Sequence, residues 1–118
     1  MSTPSELGAG AALAGALTRL AGVIDAHAAS DPDISYTAKL LKKGPFHCGK
    51  KLGEEGVECA LATASQSEQE LAAEAADLLY HLLVALKSRG VSLDAVGDVL
   101  ASREGRSGLE EKASRPKD

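Results

Sequence analysis

The apolar positions in the first quarter of the chain recur at steps of three and four residues. This spacing puts them on one side of an α-helix, whose repeat is 3.6 residues. The predicted helix must end before Asp31 and Pro32, because proline disfavours helical backbone in the residue before it. Its apolar stripe consists of Leu13, Ala16, Leu17, Leu20 and Ile24.

Two further helical patterns follow in the second quarter. We expect a helix over residues 35–43, stopped by Gly44 and Pro45, and then a loop over residues 46–49. The helical period returns over residues 50–64. The chain therefore predicts a short helix, a loop and a medium-length helix in succession.

The longest helix is predicted to start at a capping box. Ser67 and Glu70 have the spacing in which each side chain caps the other residue's backbone, and Gly90 supplies the stop. Ser92 is placed to cap a last helix, and the residues after Gly105 are polar. The apolar stripe of the long helix consists of Leu71, Ala75, Leu78, Leu82 and Leu86.

Composition fixes the fold class. The 118 residues include 21 Ala and 17 Leu, against 8 Val and Ile together and 3 aromatic residues. Helix formers thus dominate and strand formers are scarce. We expect a single all-α domain over residues 1–118, a compact bundle of four to five helices, with frayed ends at 1–10 and 116–118.

The same composition favours self-association. Three aromatic residues make a thin core, and the long helix carries a second row of small and apolar residues beside its main stripe. One chain can hardly cover both rows, so we expect a homodimer held by apolar faces. The second row consists of Ala72, Ala76, Leu79 and Leu83.

The overall charge argues against several classes of partner. A formal net charge of −4 gives no support to binding of nucleic acid or a membrane surface. The apolar stretch over residues 8–17 is too short for a membrane span, and no basic segment of an export signal precedes it. Cys48 and Cys59 show no disulfide-framework spacing. We therefore expect a cytoplasmic protein with no membrane or nucleic-acid partner.

Charge is nevertheless segregated along the chain. Five lysines and no acid lie between Lys39 and Lys51, whereas seven carboxylates and no Lys or Arg lie between Leu52 and Leu86. A solvated helix face is the ordinary interpretation of an acidic run, but such a face usually mixes both signs. The segregation indicates a site that attracts a cation on one side and an anion on the other.

The carboxylates form two pairs on successive predicted helices. Glu55 and Glu58 are about 60° apart around the helix axis, as are Glu74 and Asp77, and antiparallel packing can bring the pairs together. With Glu54, this set of hard oxygen ligands suits Mg²⁺ or Mn²⁺, which complete their shells with water and phosphate oxygens. A di-iron bundle is disfavoured, because no Glu in the chain has a His three residues later.

These residues carry a family resemblance. Residues 53–58 and 74–77 are similar to the EExxE…ExxD signature of the MazG-like all-α nucleotide pyrophosphohydrolases. Residues 35–40, 76–81 and 107–115 narrow the resemblance to the phosphoribosyl-ATP pyrophosphohydrolases of histidine biosynthesis. The departures are Gly56, where the family usually has Ala, and the Gly-Lys pair before Lys51.

The resemblance implies an activity and a ligand set. The activity is Mg²⁺-dependent hydrolysis of phosphoribosyl-ATP to phosphoribosyl-AMP and pyrophosphate, with Glu55, Glu58, Glu74 and Asp77 as ligands. Glu54 is expected to hold another ion or to position water. Two alternatives remain open: a house-cleaning hydrolase of (deoxy)nucleoside triphosphates, and a non-catalytic helical binding module.

Several residues outside the acidic set are candidates for contact with the nucleotide substrate. Lys51 precedes the acidic motif where the family carries a lysine, and Lys39 belongs to the basic group upstream. His81 lies about 20° from Glu74 on the helical wheel, so it either orients a carboxylate, contacts substrate, or packs as a structural histidine. The C-terminal block typical of the family adds Arg103, Lys112 and Arg115 as phosphate contacts.

Overall fold

The computed structural model describes residues 10–105, 108, 112, 113, 115 and 116. Within residues 10–105 the chain forms five helices and no strand, as the composition predicts. The predicted frayed ends fall mostly on residues 1–9, 117 and 118, which lie outside the described residues. The helices are α1 (Ala11–His27), α2 (Tyr36–Lys43), α3 (Pro45–Ser65), α4 (Glu68–Ser88) and α5 (Leu93–Ser102).

Hydroxyl caps define the starts of three helices. The Ser35 hydroxyl accepts the backbone N–H of Ala38 (3.1 Å) at the start of α2, and Ser92 caps α5 in the same way. At the start of α4, Ser67 and Glu70 form the predicted capping box, with backbone-to-side-chain distances of 3.1 and 3.3 Å. Each cap satisfies a backbone donor that the helix itself leaves unpaired.

The predicted loop over residues 46–49 is wrong. Gly44 has φ = +93°, and its N–H donates to the Leu41 carbonyl while its own carbonyl accepts the N–H of Cys48, both at 3.1 Å. One residue therefore ends α2 and begins α3. Pro45 occupies the first turn of α3. Backbone N–H groups in a first turn have no carbonyl partner within the helix, so proline, which lacks an N–H, costs no hydrogen bond there.

The core lies where four helices meet. The buried cluster takes residues from α1, α2, α3 and the C-terminal half of α4, and consists of Ile24, Leu40, Cys48, Leu83 and Val84. The Cys48 thiol donates to the Leu40 carbonyl (3.2 Å), and its burial raises the pKa of the thiol. Cys48 thus acts as a small core hydrophobe rather than a metal ligand.

The two rows predicted on α4 are distributed differently from expectation. Leu83 is only 5% exposed and belongs to the core of its own chain, so it is not available as a surface residue. Ala72 and Ala76 are exposed, and Leu79 is half-buried. The main stripe is half-buried throughout, because α4 meets several neighbours rather than one flat surface.

Helices α3 and α4 pack against each other as a hairpin. Gln66 and Ser67 connect them. Because this connection is so short, the chain reverses direction and the two helices pack antiparallel. The face of α3 turned away from the hairpin keeps apolar side chains on the surface: Phe46 is 89% exposed, Val57 60% and Leu61 54%. No helix in the described part of the chain is long and apolar enough to cross a bilayer.

Candidate active site

Three carboxylates converge between α3 and α4. One ligand oxygen each from Glu55, Glu74 and Asp77 lie within 4.8 Å of one another. Within the described residues, this is the one group of three or more such side chains close enough to share a metal ion. The sequence prediction that the two acidic pairs meet is therefore confirmed for three of its four members.

Helix geometry explains the convergence. Glu74 and Asp77 lie one turn apart on α4 and project from the same side, while the hairpin turns Glu55 of α3 toward them. The capping box fixes where α4 begins and hence the register of its acidic turn. Glu55 and Glu74 are half-buried, whereas Asp77 is exposed, so the group opens to solvent at one side.

The electrostatics of the group show crowding of like charge. Partial desolvation raises the pKa of Glu74, and the neighbouring charges of Asp77, Glu55 and Glu58 raise it further. Carboxylates that disfavour each other's ionisation are stabilised by a cation between them. All-oxygen donors on two rigid helices fit Mg²⁺ or Mn²⁺, which bind oxygen at about 2.1 Å and retain several waters.

The other two acids of the motif lie beside this group. Glu58 is exposed and acts on Glu74 through its charge, but its oxygens are not within the 4.8 Å group. Glu54 instead lies 3.5 Å from the ammonium of Lys51, which is three residues earlier on α3. The structure thus pairs Lys51 with Glu54 and leaves Glu54 outside the converging group.

His81 lies on the buried side of the acidic group, next to Glu55. Its ring is buried (6% exposed), and its Nε2 lies 3.9 Å from Oε1 of Glu55, beyond a direct hydrogen bond. The helical wheel of α4 predicts His81 nearest Glu74, because both residues lie on that helix. The structure places it against Glu55 of the facing helix, which a helical wheel of one helix cannot show.

Two tyrosines pack against His81. The sequence patterns did not predict this contact. Tyr36 and Tyr80 are stacked with ring centroids 6.5 Å apart, and both contact the His81 ring edge-on, at 6.4 and 5.0 Å. The Tyr80 hydroxyl is hydrogen-bonded to Thr37 (2.6 Å). The signal that could have found them was the scarcity of aromatic residues, since both tyrosines of the chain lie here.

The remaining cationic candidates are all exposed. Lys39 is exposed on α2 and, with Lys42 and Lys43, lines a shallow groove beside Pro32 and Asp33. Three exposed residues belong to the C-terminal region: Arg103, which follows α5, Lys112 and Arg115. Residues 107, 109–111 and 114 of that block lie outside the described residues.

Known proteins match this chain over most of its length. The family model described as phosphoribosyl-ATP pyrophosphohydrolase matches residues 17–104. The chain is 57% identical over 99 residues to a phosphoribosyl-ATP pyrophosphatase of Nitrobacter winogradskyi, covering 84% of this chain and 85% of the relative.

Two further relatives are as similar. Phosphoribosyl-ATP pyrophosphatase 1 of Rhodopseudomonas palustris and phosphoribosyl-ATP pyrophosphatase of Caulobacter vibrioides are each 56% identical over 99 residues. In both cases the match covers 84% of this chain and 92% of the relative. The matched stretch contains all five acids of the motif.

Proposed function

Since this chain belongs to the phosphoribosyl-ATP pyrophosphohydrolase family, we propose that it hydrolyses phosphoribosyl-ATP to phosphoribosyl-AMP and pyrophosphate in histidine biosynthesis. It is a hydrolase of a phosphoric anhydride bond. The observation that carries this conclusion is the convergence of Glu55, Glu74 and Asp77 inside the stretch that the family matches. Nothing in this chemistry requires a protein nucleophile, because water attacks phosphorus directly.

The acidic group is the proposed binding site for Mg²⁺, with Mn²⁺ as a substitute. Glu55, Glu74 and Asp77 supply the first ligands, Glu58 joins them by a change of rotamer, and Glu54 holds a second ion or orients water. A divalent ion bound there neutralises the polyphosphate and lowers the pKa of the attacking water. The fit rests on the donor chemistry and on the 4.8 Å spread of the three oxygens.

Two side chains support the acidic group in this proposal. His81, held in place by two tyrosine rings, restricts the movement of Glu55 from the buried side. Lys51 exchanges its contact with Glu54 for a substrate phosphate oxygen, since an ammonium binds a phosphate dianion more strongly than a solvated carboxylate. Both residues therefore position charge rather than react.

The other proposed phosphate contacts are Lys39, Arg103, Lys112 and Arg115. Each is a cation exposed on the described surface. Single replacement of each by Gln, followed by steady-state kinetics, tests them one at a time. A contact to substrate raises KM while leaving the melting temperature unchanged, and a variant with wild-type KM removes that residue from the binding site.

Product analysis tests the activity itself. Purified protein with Mg²⁺ is expected to convert phosphoribosyl-ATP to phosphoribosyl-AMP and pyrophosphate, and EDTA is expected to stop the reaction. Ready cleavage of deoxynucleoside triphosphates with phosphoribosyl-ATP left intact would instead assign a house-cleaning hydrolase. Release of no pyrophosphate from either substrate would leave a non-catalytic helical module.

A homodimer is the proposed assembly, and cytoplasm the proposed location of the single domain over residues 1–118. Support for the dimer comes from Val57 and Leu61, which lie about one turn apart in the C-terminal half of α3 and remain exposed. Val57→Glu is expected to give monomers in sedimentation at micromolar concentration, because it puts a charge into an apolar seam. Thr63→Glu, at an exposed position on another side of α3, is the matched control. Wild-type protein that sediments as a monomer contradicts the dimer.

A further inference from the structure

The junction of α2 and α3 carries a concentration of positive charge that the acidic site does not use. Lys43 ends α2, and His47 and Lys50 lie in the first two turns of α3. We call these three residues the basic patch. Lys43 and Lys50 are exposed, and His47 is half-buried.

The charges of the patch act on one imidazole. Partial desolvation, followed by the charges of Lys43, Lys51 and Lys50, lowers the pKa of His47, and only Glu54 acts in the opposite direction. Among the residues that the structure describes, neither Lys43 nor Lys50 lies within ion-pair distance of a carboxylate. The patch is therefore a local excess of positive charge on a protein whose net charge is −4.

His47 of the patch lies on the same side of α3 as the acidic motif, and Lys50 lies about 60° from His47 around the axis, on the flank away from Glu55. His47 and Glu58 are eleven positions apart, which puts them within about 20° of each other around the helix axis. From His47 to Glu55 the helix rises by about 12 Å at 1.5 Å per residue. A substrate that extends along this side of α3 contacts the acidic group at one end. At the other end it contacts His47 and the lysines beside it.

The substrate has the matching charge distribution. Phosphoribosyl-ATP carries its triphosphate at one end and, beyond the purine, a second phosphate on the added ribosyl group. An ordinary nucleoside triphosphate lacks that second phosphate. The triphosphate needs the metal ions of the acidic group, so the patch is left for the single phosphate dianion, which lysines and imidazole N–H groups bind well.

We propose that Lys43, His47 and Lys50 form the subsite for the ribosyl 5-phosphate and so select phosphoribosyl-ATP over ordinary nucleoside triphosphates. This inference rests on the proposed function, since it assigns one part of that substrate. An ordinary nucleoside triphosphate leaves the patch empty, so it lacks the binding energy that phosphoribosyl-ATP gains there. This difference in binding energy selects the substrate.

Kinetics on a double variant test the subsite. Lys43→Gln with Lys50→Gln is expected to raise KM for phosphoribosyl-ATP about tenfold or more, with kcat nearly unchanged. Hydrolysis of dATP, already slow, is expected to stay the same. Lys42→Gln is the matched control, because it removes the same charge from α2 but is not among the charges acting on His47.

Binding of a probe tests the subsite without catalysis. Ribose 5-phosphate added to the wild-type chain is expected to move the ring resonances of His47 in NMR spectra, and the double variant is expected to lose this response. Equal loss of activity on phosphoribosyl-ATP and dATP, or a stronger response of His47 to pyrophosphate with Mg²⁺, would assign the patch to the triphosphate and overturn the proposal.

The outcomes separate the two levels of inference. A wild-type enzyme that hydrolyses phosphoribosyl-ATP and a double variant with wild-type KM refute the subsite and leave the proposed function intact. A wild-type chain that leaves phosphoribosyl-ATP unhydrolysed refutes the proposed function. A His47 response to ribose 5-phosphate in that second case still marks an anion site, but not one that selects this substrate.

Discussion

The two halves of α4 have different surroundings. Its C-terminal half buries His81, Leu83 and Val84 against three other helices. Its N-terminal half buries no residue and places Glu74 and Asp77 beside Glu55. One half stabilises the fold, and the other tolerates repulsion between carboxylates because the helix is anchored elsewhere.

Removing one charge from the N-terminal half gives the largest expected effect. Asp77→Asn keeps the side-chain size but removes a negative charge from the proposed metal site, so kcat is expected to fall about a thousandfold. The melting temperature without metal should stay equal or rise, because one repulsive charge has gone. Glu68→Gln, in the exposed first turn of the same helix, is the control and should retain activity. Similar losses in both variants would indicate general electrostatics.

Truncation in the C-terminal half should do the reverse. Leu83→Ala removes buried methyl groups from the core and is expected to cost about 2–5 kcal/mol of unfolding free energy. Urea denaturation measures this loss, and kcat measured where the variant is still folded should remain close to wild type. A variant that keeps its stability but becomes monomeric would contradict the core position of Leu83 and assign it to the dimer interface instead.

The raised pKa of Glu74 gives the N-terminal half a pH-dependent contribution to stability. The pKa of Glu74 is raised in the folded chain, so its ionisation opposes folding, and metal-free stability is lost as pH rises from below its ordinary value of 4.5 through the raised value. Mg²⁺ at neutral pH is expected to raise the melting temperature by roughly 3–8 °C, and by less in acid where protons compete. Glu74→Gln should reduce both responses. Scanning fluorimetry that shows no Mg²⁺ effect at any pH would exclude binding of the ion to the substrate-free chain.

The smallest effect is expected where the two halves meet. Tyr80→Phe keeps the ring stack but removes the hydrogen bond with Thr37, which should cost about 1 kcal/mol. Because His81 keeps its aromatic neighbours, kcat should change little. Thr37→Val is the partner variant, and a double-mutant cycle in thermal unfolding measures the pair. Independent, fully additive losses would show that the hydrogen bond contributes nothing.

Sequence alone predicted the helices and caps because these depend on local signals. Ser67 and Ser92 form the predicted caps, and Ser35, which was predicted as the first residue of its helix, is instead the residue that caps it. The loop over residues 46–49 was mispredicted because Gly44 and Pro45 were interpreted as a stop, although the same pair also starts a helix. A residue that serves both roles cannot be distinguished from a simple stop by local pattern.

The sequence predicted that the acids of the candidate site converge, which holds for Glu55, Glu74 and Asp77, but it did not predict what surrounds them. Spacing on single helices brings Glu74 and Asp77 together, and the hairpin adds Glu55. The position of His81 against Glu55, and the burial of Leu83, depend instead on how helices distant in sequence approach each other. Helical wheels carry no information about that approach, so these two assignments required the structure.

The short connection between α3 and α4 bears on how the chain folds. Glu55 and Asp77 are separated by little more than one hairpin, so closing the loop between them costs little chain entropy. Contacts of low sequence separation form early in helical proteins. We therefore expect the converging carboxylates to meet in the folding transition state, before α1 docks. We also expect the rate of folding to slow in chains where like charge in this hairpin is increased.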